Sequence, residues 1–160
     1  MRKVVFLDRD GVINNNALYY TYRCEDFKIN KGVIEALKSL SDKGFEFIII
    51  TNQSGISKGI YTKKEVEIVH EFLLKELKKN GISILEIYYC SHHSDMEACL
   101  CRKPSPLLIE KAIARFQIDA FNSYFIGDQQ RDVETAKAAT IKPVLIEPNS
   151  DLRNILNNII

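Results

Sequence analysis

The sequence predicts a three-layer, Rossmann-like α/β domain with a mostly parallel sheet. Short apolar runs alternate with longer segments of helical periodicity along nearly the whole chain, which is typical of helices covering both faces of a parallel sheet. Several of the apolar runs end in polar turns. Because the carboxyl ends of parallel strands meet at one edge of a sheet, we expect a ligand site at that edge. A chain of 160 residues is long enough for one domain, which we predict over residues 1–160.

The N-terminal half predicts two strands and two helices. Residues 4–7 are four apolar residues in a row, which suits a strand buried on both faces. Apolar residues at helical spacing predict a helix over 32–43, and the apolar run at 45–50 predicts the second strand. A long amphipathic helix is predicted over 62–79, where Thr and Glu stand at capping-box spacing. His70 lies in this helix, and we expect it at the surface or at the boundary of the core.

The C-terminal half continues the alternation. A third strand is followed by an irregular segment, 90–104, that is rich in Cys and His. Proline is acceptable in the first turn of the helix that comes next. The predicted strands of this half are residues 82–89, 123–126 and 143–146, and the predicted helices are residues 105–116, 132–139 and 151–159.

The polar segment from Asn14 to Asn30 has no clear period and contains a tyrosine cluster, Tyr19, Tyr20 and Tyr22. We predict a loop that lies over the strand ends. The chain has no room for a large cap domain between the predicted elements. The tyrosine loop and the Cys/His loop, or a second subunit, should therefore form the walls of the site.

Composition excludes several classes of protein. Lys plus Arg number 22 and Asp plus Glu number 21, a net charge of +1, whereas nucleic-acid-binding proteins are usually clearly basic. No apolar run is long enough to span a membrane, and the N-terminus lacks a signal-peptide pattern. We therefore expect a cytoplasmic protein, monomeric or a small homo-oligomer, with no nucleic-acid or membrane partner. In that compartment the four cysteines should be thiols or metal ligands rather than disulfides.

Carboxylates are concentrated at the predicted strand ends. Several of them brought together would repel one another unless a cation lies among them, and all-oxygen ligation favours Mg²⁺. A hydroxyl and a lysine at the same edge suit a phosphoryl group beside that metal. The alternative is a strand that ends in a solvated acidic turn. The side chains concerned are Asp8, Asp10, Thr51, Asn52, Lys103, Asp128 and Asp132.

An aspartate can act as the nucleophile on phosphorus. Its ordinary pKa of about 3.9 leaves it ionised at neutral pH, so it needs no separate base. Asp8 and Asp10 are two residues apart, which places both side chains on one side of the pleat. One could attack phosphorus while the other protonates the leaving oxygen and later deprotonates a water molecule.

These motifs, taken in order along the chain, resemble the haloacid dehalogenase-like phosphatases. Asp8-Arg9-Asp10-Gly11 is similar to the family's D-x-D motif, and Thr51, Lys103 and Gly127-Asp128…Asp132 are similar to its second, third and fourth motifs. The resemblance implies a nucleophilic Asp8, an acid/base Asp10, and Thr51 and Lys103 as the residues that stabilise the phosphoryl group. It also implies Mg²⁺ held by the side chains of Asp8 and Asp128 and the backbone carbonyl of Asp10.

A second metal site is predicted in the Cys/His loop. The C-x-H…C-x-C spacing offers four N/S ligands, Cys90, His92, Cys99 and Cys101, which suit tetrahedral structural zinc; His93 is the less favoured imidazole. Zinc would order a loop with little apolar content and would position the adjacent Lys103 without taking part in the chemistry. The alternative is a loop whose cysteines occur together by chance.

The zinc loop and the Thr51-Asn52-Gln53-Ser54-Gly55-Ile56 turn together resemble one branch of the family, the heptose-1,7-bisphosphate 7-phosphatases of heptose biosynthesis. Histidinol-phosphate phosphatases share the zinc loop and are the nearest alternative. This branch implies a small sugar phosphate as substrate. Arg102 would bind a second phosphate, unless it is a surface residue supporting the loop, and Asn52, Gln53 and Ser54 would contact substrate, unless they form a plain polar turn.

Two alternatives come from other classes of protein. A non-catalytic domain that binds phosphorylated ligands could share the fold, but it would not need the whole set of catalytic side chains. A zinc-containing nucleic-acid module is disfavoured by the near-neutral charge. One departure from the branch pattern is Gln129, which follows Asp128 where a lysine is usual.

Overall fold

The computed structural model describes residues 1–160, and a five-stranded parallel sheet lies at its centre. The strands stand in the order β3-β2-β1-β4-β5. From β1 the chain builds outward to β3, then returns to the other side of β1 for β4 and β5. The order therefore reverses between β1 and β4, the place where open α/β sheets bind ligands. The strands are β1 (Val4–Leu7), β2 (Glu46–Asn52), β3 (Ile84–Cys90), β4 (Tyr124–Gly127) and β5 (Lys142–Leu145).

Helices cover both faces of this sheet, which confirms the predicted three-layer α/β architecture. The first two helices and the C-terminal 3₁₀ helix pack on one face, and the last two α-helices pack on the other. The α-helices are α1 (Val33–Asp42), α2 (Lys63–Lys79), α3 (Leu107–Phe116) and α4 (Gln130–Ala138), and the 3₁₀ helices are Cys24–Asp26, Ala120–Asn122 and Leu152–Asn158. None of the helices combines the length and apolar character that crossing a bilayer requires.

Strand β1 is buried on both faces, as the apolar run predicts. Val5 and Leu7 join the core beneath α1 and α2, while Val4 and Phe6 join the core beneath α3 and α4. All four side chains are fully buried, and each contributes roughly 1.5–3 kcal/mol through burial. This packing fixes the position of the aspartates that follow β1.

Helix ends follow local side-chain chemistry. The capping box of Thr62 and Glu65 is present at the start of α2. The fourth helix begins at Gln130, earlier than the predicted residue 132, because Gln129 and Asp132 form a reciprocal cap. The predicted C-terminal helix is present as a 3₁₀ helix, Leu152–Asn158, and the Asp151 side chain caps it.

The expectation that His70 lies at the surface or the boundary is wrong. His70 is only 6% exposed. It faces inward from α2, and its Nε2 lies 3.1 Å from Nη1 of the fully buried Arg9. The helical pattern could not show this, because the partner of His70 is 61 residues away in the chain.

Candidate active site

A polar cavity lies at the carboxyl ends of the central strands, where the sequence predicts the site. It is formed by the turn after β1, the turn after β2, the start of α4 and the Cys/His loop. Of the residues that the sequence nominates for catalysis and substrate binding, the cavity is lined by Asp8, Asp10, Thr51, Asn52, Gln53, Ser54, Arg102 and Lys103. Its walls also include residues of the tyrosine loop, as the sequence predicts, namely Asn16, Tyr19, Tyr20 and Thr21. Three further lining residues were not assigned to the site by the sequence analysis: Tyr61, Gln129 and Arg131.

Asp8 is held so that one carboxylate oxygen remains free. Its Oδ1 accepts a hydrogen bond from the backbone N–H of Arg9 at 2.8 Å and pairs with Lys103 Nζ at 3.0 Å. Its Oδ2 accepts no hydrogen bond from the protein. Burial, with the charges of neighbouring aspartates opposing that of Lys103, raises the pKa of Asp8 to about 7. The positive charge of Lys103 alone therefore does not balance the negative charges of the carboxylates in the site.

Lys103 is the buried cation of the site. Its Nζ lies 2.6 Å from Asp132 Oδ1 and 3.0 Å from Asp8 Oδ1, and its side chain is 2% exposed. Burial lowers its pKa, but the two carboxylates outweigh burial and raise the pKa above its usual value. Its backbone N–H donates to Asn52 Oδ1 at 3.1 Å. Asn52 thus connects the end of β2 to the lysine.

The Asp128 carboxylate has the surroundings expected of a metal ligand. Both of its carboxylate oxygens are buried without a hydrogen-bond partner, and burial together with the Asp132 charge raises its pKa. Ligand atoms of Asp8, Asp128 and Asp132 lie within 4.8 Å of one another. The oxygens of Asp132 are already used, one by Lys103 and one by the backbone N–H of Gln129 at 3.1 Å. Asp8 and Asp128 are therefore the pair that fits a hard divalent ion.

Asp10 is surrounded by hydrogen-bond donors. Its Oδ1 accepts from Arg9 Nη2 at 2.9 Å and from Asn14 Nδ2 at 3.0 Å, and its Oδ2 accepts from Gln53 Nε2 at 2.9 Å. Burial raises the pKa of Asp10, but the charge and hydrogen bond of Arg9, with the bonds from Asn14 and Gln53, outweigh burial and lower it. The side chain is therefore ionised and fixed in one orientation.

Arg9, which donates to Asp10, is itself held in place by His70, and the sequence analysis did not identify this pair. Arg9 also donates to the backbone carbonyl of Thr21 at 2.8 Å. Because a guanidinium can only donate, the Nε2 of His70 must accept, so the imidazole is neutral. Burial and the Arg9 charge lower the pKa of His70 to about 3. The alternation of side chains along a strand gives one indication of this role, because it predicts that Arg9 points away from the side that Asp8 and Asp10 share.

The structure brings the four nominated N/S ligands of the Cys/His loop together. The Sγ of Cys90 lies 2.9 Å from that of Cys101 and 3.7 Å from that of Cys99, and His92 Nδ1 lies 3.3 Å from Cys101 Sγ. Ligands at about 2.0–2.3 Å from one zinc ion stand roughly 3.3–3.8 Å apart in a tetrahedron, so most of these spacings suit the ion. His93 lies outside the cluster, and its Nδ1 accepts from the backbone N–H of Asp95 at 3.1 Å.

Arg102 links this cluster to the cavity. Its Nη1 donates to the backbone carbonyl of His92 at 3.2 Å, and it lines the cavity beside Lys103. Arg131, on the first turn of α4, lines the cavity as well. The outer part of the site thus has two guanidinium groups, although Gln129 brings no positive charge.

Comparisons with known proteins agree with this geometry. Residues 12–146 match the family described as haloacid dehalogenase-like hydrolase. A D-glycero-alpha-D-manno-heptose-1,7-bisphosphate 7-phosphatase of Photorhabdus laumondii is 41% identical over 145 residues, which cover 87% of this chain and 79% of the relative. A D-glycero-beta-D-manno-heptose-1,7-bisphosphate 7-phosphatase of Helicobacter pylori is 40% identical over 152 residues, which cover 94% of this chain and 86% of the relative.

A solved structure shares the fold over almost the whole chain. The D,D-heptose 1,7-bisphosphate phosphatase from B. bronchiseptica, complexed with magnesium and phosphate, superposes with a TM-score of 0.85 at 27% identity. The superposition covers 98% of this chain and 86% of that protein.

Proposed function

Because the chain belongs to the haloacid dehalogenase-like hydrolases, we propose that it is a magnesium-dependent phosphatase that removes the 7-phosphate of D-glycero-D-manno-heptose 1,7-bisphosphate. The observation that supports this most strongly is the buried group of Asp8, Asp128 and Lys103 at the reversal point of the sheet, with Asp128 lacking any partner. The heptose specificity is supported by relatives of that name that are at least 40% identical.

Magnesium fits the residues present. The side chains of Asp8 and Asp128 and the backbone carbonyl of Asp10 would hold it, and all three offer the oxygen ligands that this ion prefers. When bound, the ion offsets the repulsion between carboxylates and phosphate and polarises the phosphoryl group. A related phosphatase of the same fold is complexed with magnesium and phosphate.

In the first step, Asp8 Oδ2 forms a bond to phosphorus while the bond from phosphorus to the sugar oxygen breaks. Asp10 is ionised in the free site, so it must first take up a proton from solvent, which the negative charge of the bound phosphate favours. It then gives this proton to the leaving oxygen, so the sugar departs as a neutral alcohol. Lys103 and the Thr51 hydroxyl hold the transferring phosphoryl group by charge and by hydrogen bonding. The product of this step is an aspartyl-phosphate on Asp8.

In the second step, Asp10 takes a proton from a water molecule, and that water attacks the phosphorus of the aspartyl-phosphate. The bond between phosphorus and Asp8 breaks, which releases inorganic phosphate and restores the Asp8 carboxylate. Asp10 then loses this proton to solvent and returns to its ionised state. One residue thus acts as acid and then as base, which requires that its side chain not be a ligand of the metal.

Structural zinc is proposed in the Cys/His loop, with Cys90, His92, Cys99 and Cys101 as ligands. Burial and the neighbouring thiols raise the pKa of Cys90, so a thiolate at this position needs a cation to be stable. All four positions of a tetrahedral ion would be filled by protein, which leaves none for catalysis. The role of the ion would be to fix the loop that carries Lys103.

Substrate contacts are proposed on the outer side of the cavity. Arg102 would bind the second phosphate through two parallel hydrogen bonds, and Asn52 and Ser54 lie where a sugar or phosphate could reach them. Gln53, which the sequence also nominates for substrate binding, lines the cavity too, but its amide N–H groups already bond Asp10 and Thr51. The organisation as one domain, a monomeric or small oligomeric state, and a cytoplasmic location stay predictions.

The test is phosphate release from both anomers of the heptose bisphosphate and from histidinol phosphate, each with and without Mg²⁺. We expect kcat/KM for at least one heptose anomer to exceed that for histidinol phosphate by about a hundredfold or more, and Asp8→Asn to abolish turnover. Similar kcat/KM values for all three substrates would refute the heptose assignment. Turnover by Asp8→Asn, or without a divalent ion, would refute the mechanism.

A further inference from the structure

We infer that Gln53 is a positioning residue that holds Asp10 and Thr51 in one arrangement, and that Tyr61 fixes the orientation of its amide. The inference rests on the proposed phosphatase chemistry for the roles of Asp10 and Thr51. It does not depend on which sugar phosphate is the substrate.

The Gln53 amide is buried and its donors are fully used. The residue is only 2% exposed. Its Nε2 lies 2.9 Å from Asp10 Oδ2 and 2.9 Å from Thr51 Oγ1, and its Oε1 lies 2.8 Å from the hydroxyl of Tyr61. Both N–H groups are therefore engaged by protein, and none remains for a substrate hydroxyl.

Only one orientation of this amide is consistent with its neighbours. The other oxygen of the Asp10 carboxyl group accepts from Arg9 and Asn14. A flipped Gln53 would bring its amide oxygen against the second acceptor oxygen, so the nitrogen of Gln53 faces it. The amide oxygen then faces Tyr61, whose hydroxyl must donate. Tyr61 is 4% exposed, and burial keeps its proton in place by raising its pKa. Without the Tyr61 hydroxyl, the flipped orientation of the Gln53 amide would be less unfavourable relative to the observed one.

The hydrogen bond from Gln53 also determines where the hydroxyl proton of Thr51 points. Because Thr51 Oγ1 accepts from Gln53, its own hydrogen must point to another acceptor. The protein offers only the backbone carbonyl of Asn52 at 3.5 Å, the outer limit for a hydrogen bond. A phosphoryl oxygen in the cavity would be a better acceptor. Gln53 thus prepares Thr51 to donate to substrate while it holds Asp10 in place.

Tyr61 is itself fixed from two sides. A Cβ on Gly55 would overlap its ring atom Cε1, so the ring lies directly against the bare glycine. On another side Tyr22 stacks on it, with ring centroids 5.1 Å apart and an interplanar angle of 14°. The loop that contains the tyrosine cluster therefore connects to the catalytic pair through Tyr61 and Gln53.

The test compares Gln53→Met, Tyr61→Phe and the double variant with 4-nitrophenyl phosphate and Mg²⁺, a substrate that needs no sugar contacts. Methionine fills a similar volume without donors. We expect kcat to fall about 10- to 100-fold in Gln53→Met, with KM changed less than about threefold, because the effect is on alignment. Tyr61→Phe should lower kcat about 3- to 10-fold, and the double variant should be no slower than Gln53→Met.

Two further variants exclude a general loss of structure. Gly55→Ala displaces the Tyr61 ring from the other side, so it should reproduce the kcat loss of Tyr61→Phe and add nothing in the Gln53→Met background. Tyr124→Phe removes a hydroxyl that bonds the chain terminus at Ile160, far from the cavity, and should leave kcat unchanged. Melting temperatures of all variants identify any that fail to fold.

A raised KM with unchanged kcat in Gln53→Met would show that Gln53 contacts substrate, and it would overturn the inference. Additive losses in the double variant would overturn the role of Tyr61. A wild-type protein that releases no phosphate from this ester or from the sugar phosphates would instead refute the proposed function, together with the roles of Asp10 and Thr51.

Discussion

Replacing Gly11 with alanine should weaken Mg²⁺ binding and lower the stability of the fold, and the two effects can be measured separately. Gly11 has a φ of +86°, and a Cβ built on it would overlap Asp128 Oδ2 and lie 2.8 Å from Asp128 Cγ. Carbon atoms in contact normally stand about 3.5–4.0 Å apart. The Asp128 carboxyl group must therefore move by about 1 Å, away from its place beside Asp8.

Two costs follow, and they can be measured separately. A left-handed backbone costs an alanine about 1–2 kcal/mol, which corresponds to a fall in melting temperature of roughly 2–8 °C for a chain of this size. Displacing a metal ligand by 1 Å should weaken Mg²⁺ binding by about tenfold or more and lower activity by up to about a hundredfold.

Gly44→Ala is the matched control. Gly44 has a φ of +84°, and a Cβ there would meet nothing within 4 Å. It should therefore show the backbone cost alone. The assay is phosphate release as a function of Mg²⁺ concentration, together with the rise in melting temperature that Mg²⁺ causes. If Gly11→Ala reaches half-maximal activity at the wild-type Mg²⁺ concentration, the assignment of Asp128 as a ligand is refuted.

Three further predictions concern the second phosphate, the zinc loop and the buried histidine. Arg102→Ala should raise KM for a heptose bisphosphate at least about tenfold while changing KM for a simple monoester much less, because only the bisphosphate has a second phosphate for the bidentate contact. An equal rise in KM for both substrates would refute the second-phosphate role. Removing zinc with a chelator should make residues 90–104 sensitive to protease and lower activity in a way that Mg²⁺ does not restore, and full activity in protein verified as zinc-free would contradict this. His70 has a pKa of about 3 when folded and about 6.5 when unfolded, so the unfolded state binds an extra proton as the pH falls below 6.5. Stability should therefore decline from that pH downward, by up to about 2 kcal/mol at pH 5 from this residue. Urea unfolding of His70→Gln, which keeps an acceptor for Arg9, should show a shallower decline between pH 6.5 and 5, and equal slopes would show that His70 is not responsible.

The fold could be predicted because its signals are local. The apolar run at β1, the capping box at α2 and the alternation of strands and helices all depend on neighbours within a few residues. The differences are local too, but they depend on hydrogen bonds that the period of hydrophobic residues does not show. The reciprocal cap of Gln129 and Asp132 moves the start of α4, and the last turns wind as a 3₁₀ helix.

The candidate site was predictable for a related reason. Parallel strands bring their carboxyl ends together, so polar residues at the ends of β1, β2 and β4 had to meet even though the chain separates them widely. This places Asp8, Thr51 and Asp128 near one another without knowledge of any side-chain contact. The cysteine and histidine spacing likewise predicts a cluster before any distance is known.

The order and spacing of residues along the chain are enough to predict which reactive groups meet: the aspartates, the threonine, the lysine and the four N/S ligands. How each group is held depends on the packing of elements that are distant in the chain. The pairing of Arg9 with His70 and the contact of Gln53 with Tyr61, Thr51 and Asp10 depend on side-chain directions and on burial. Those directions are fixed when separate elements pack together, because a buried polar group must find its partner wherever the fold places one.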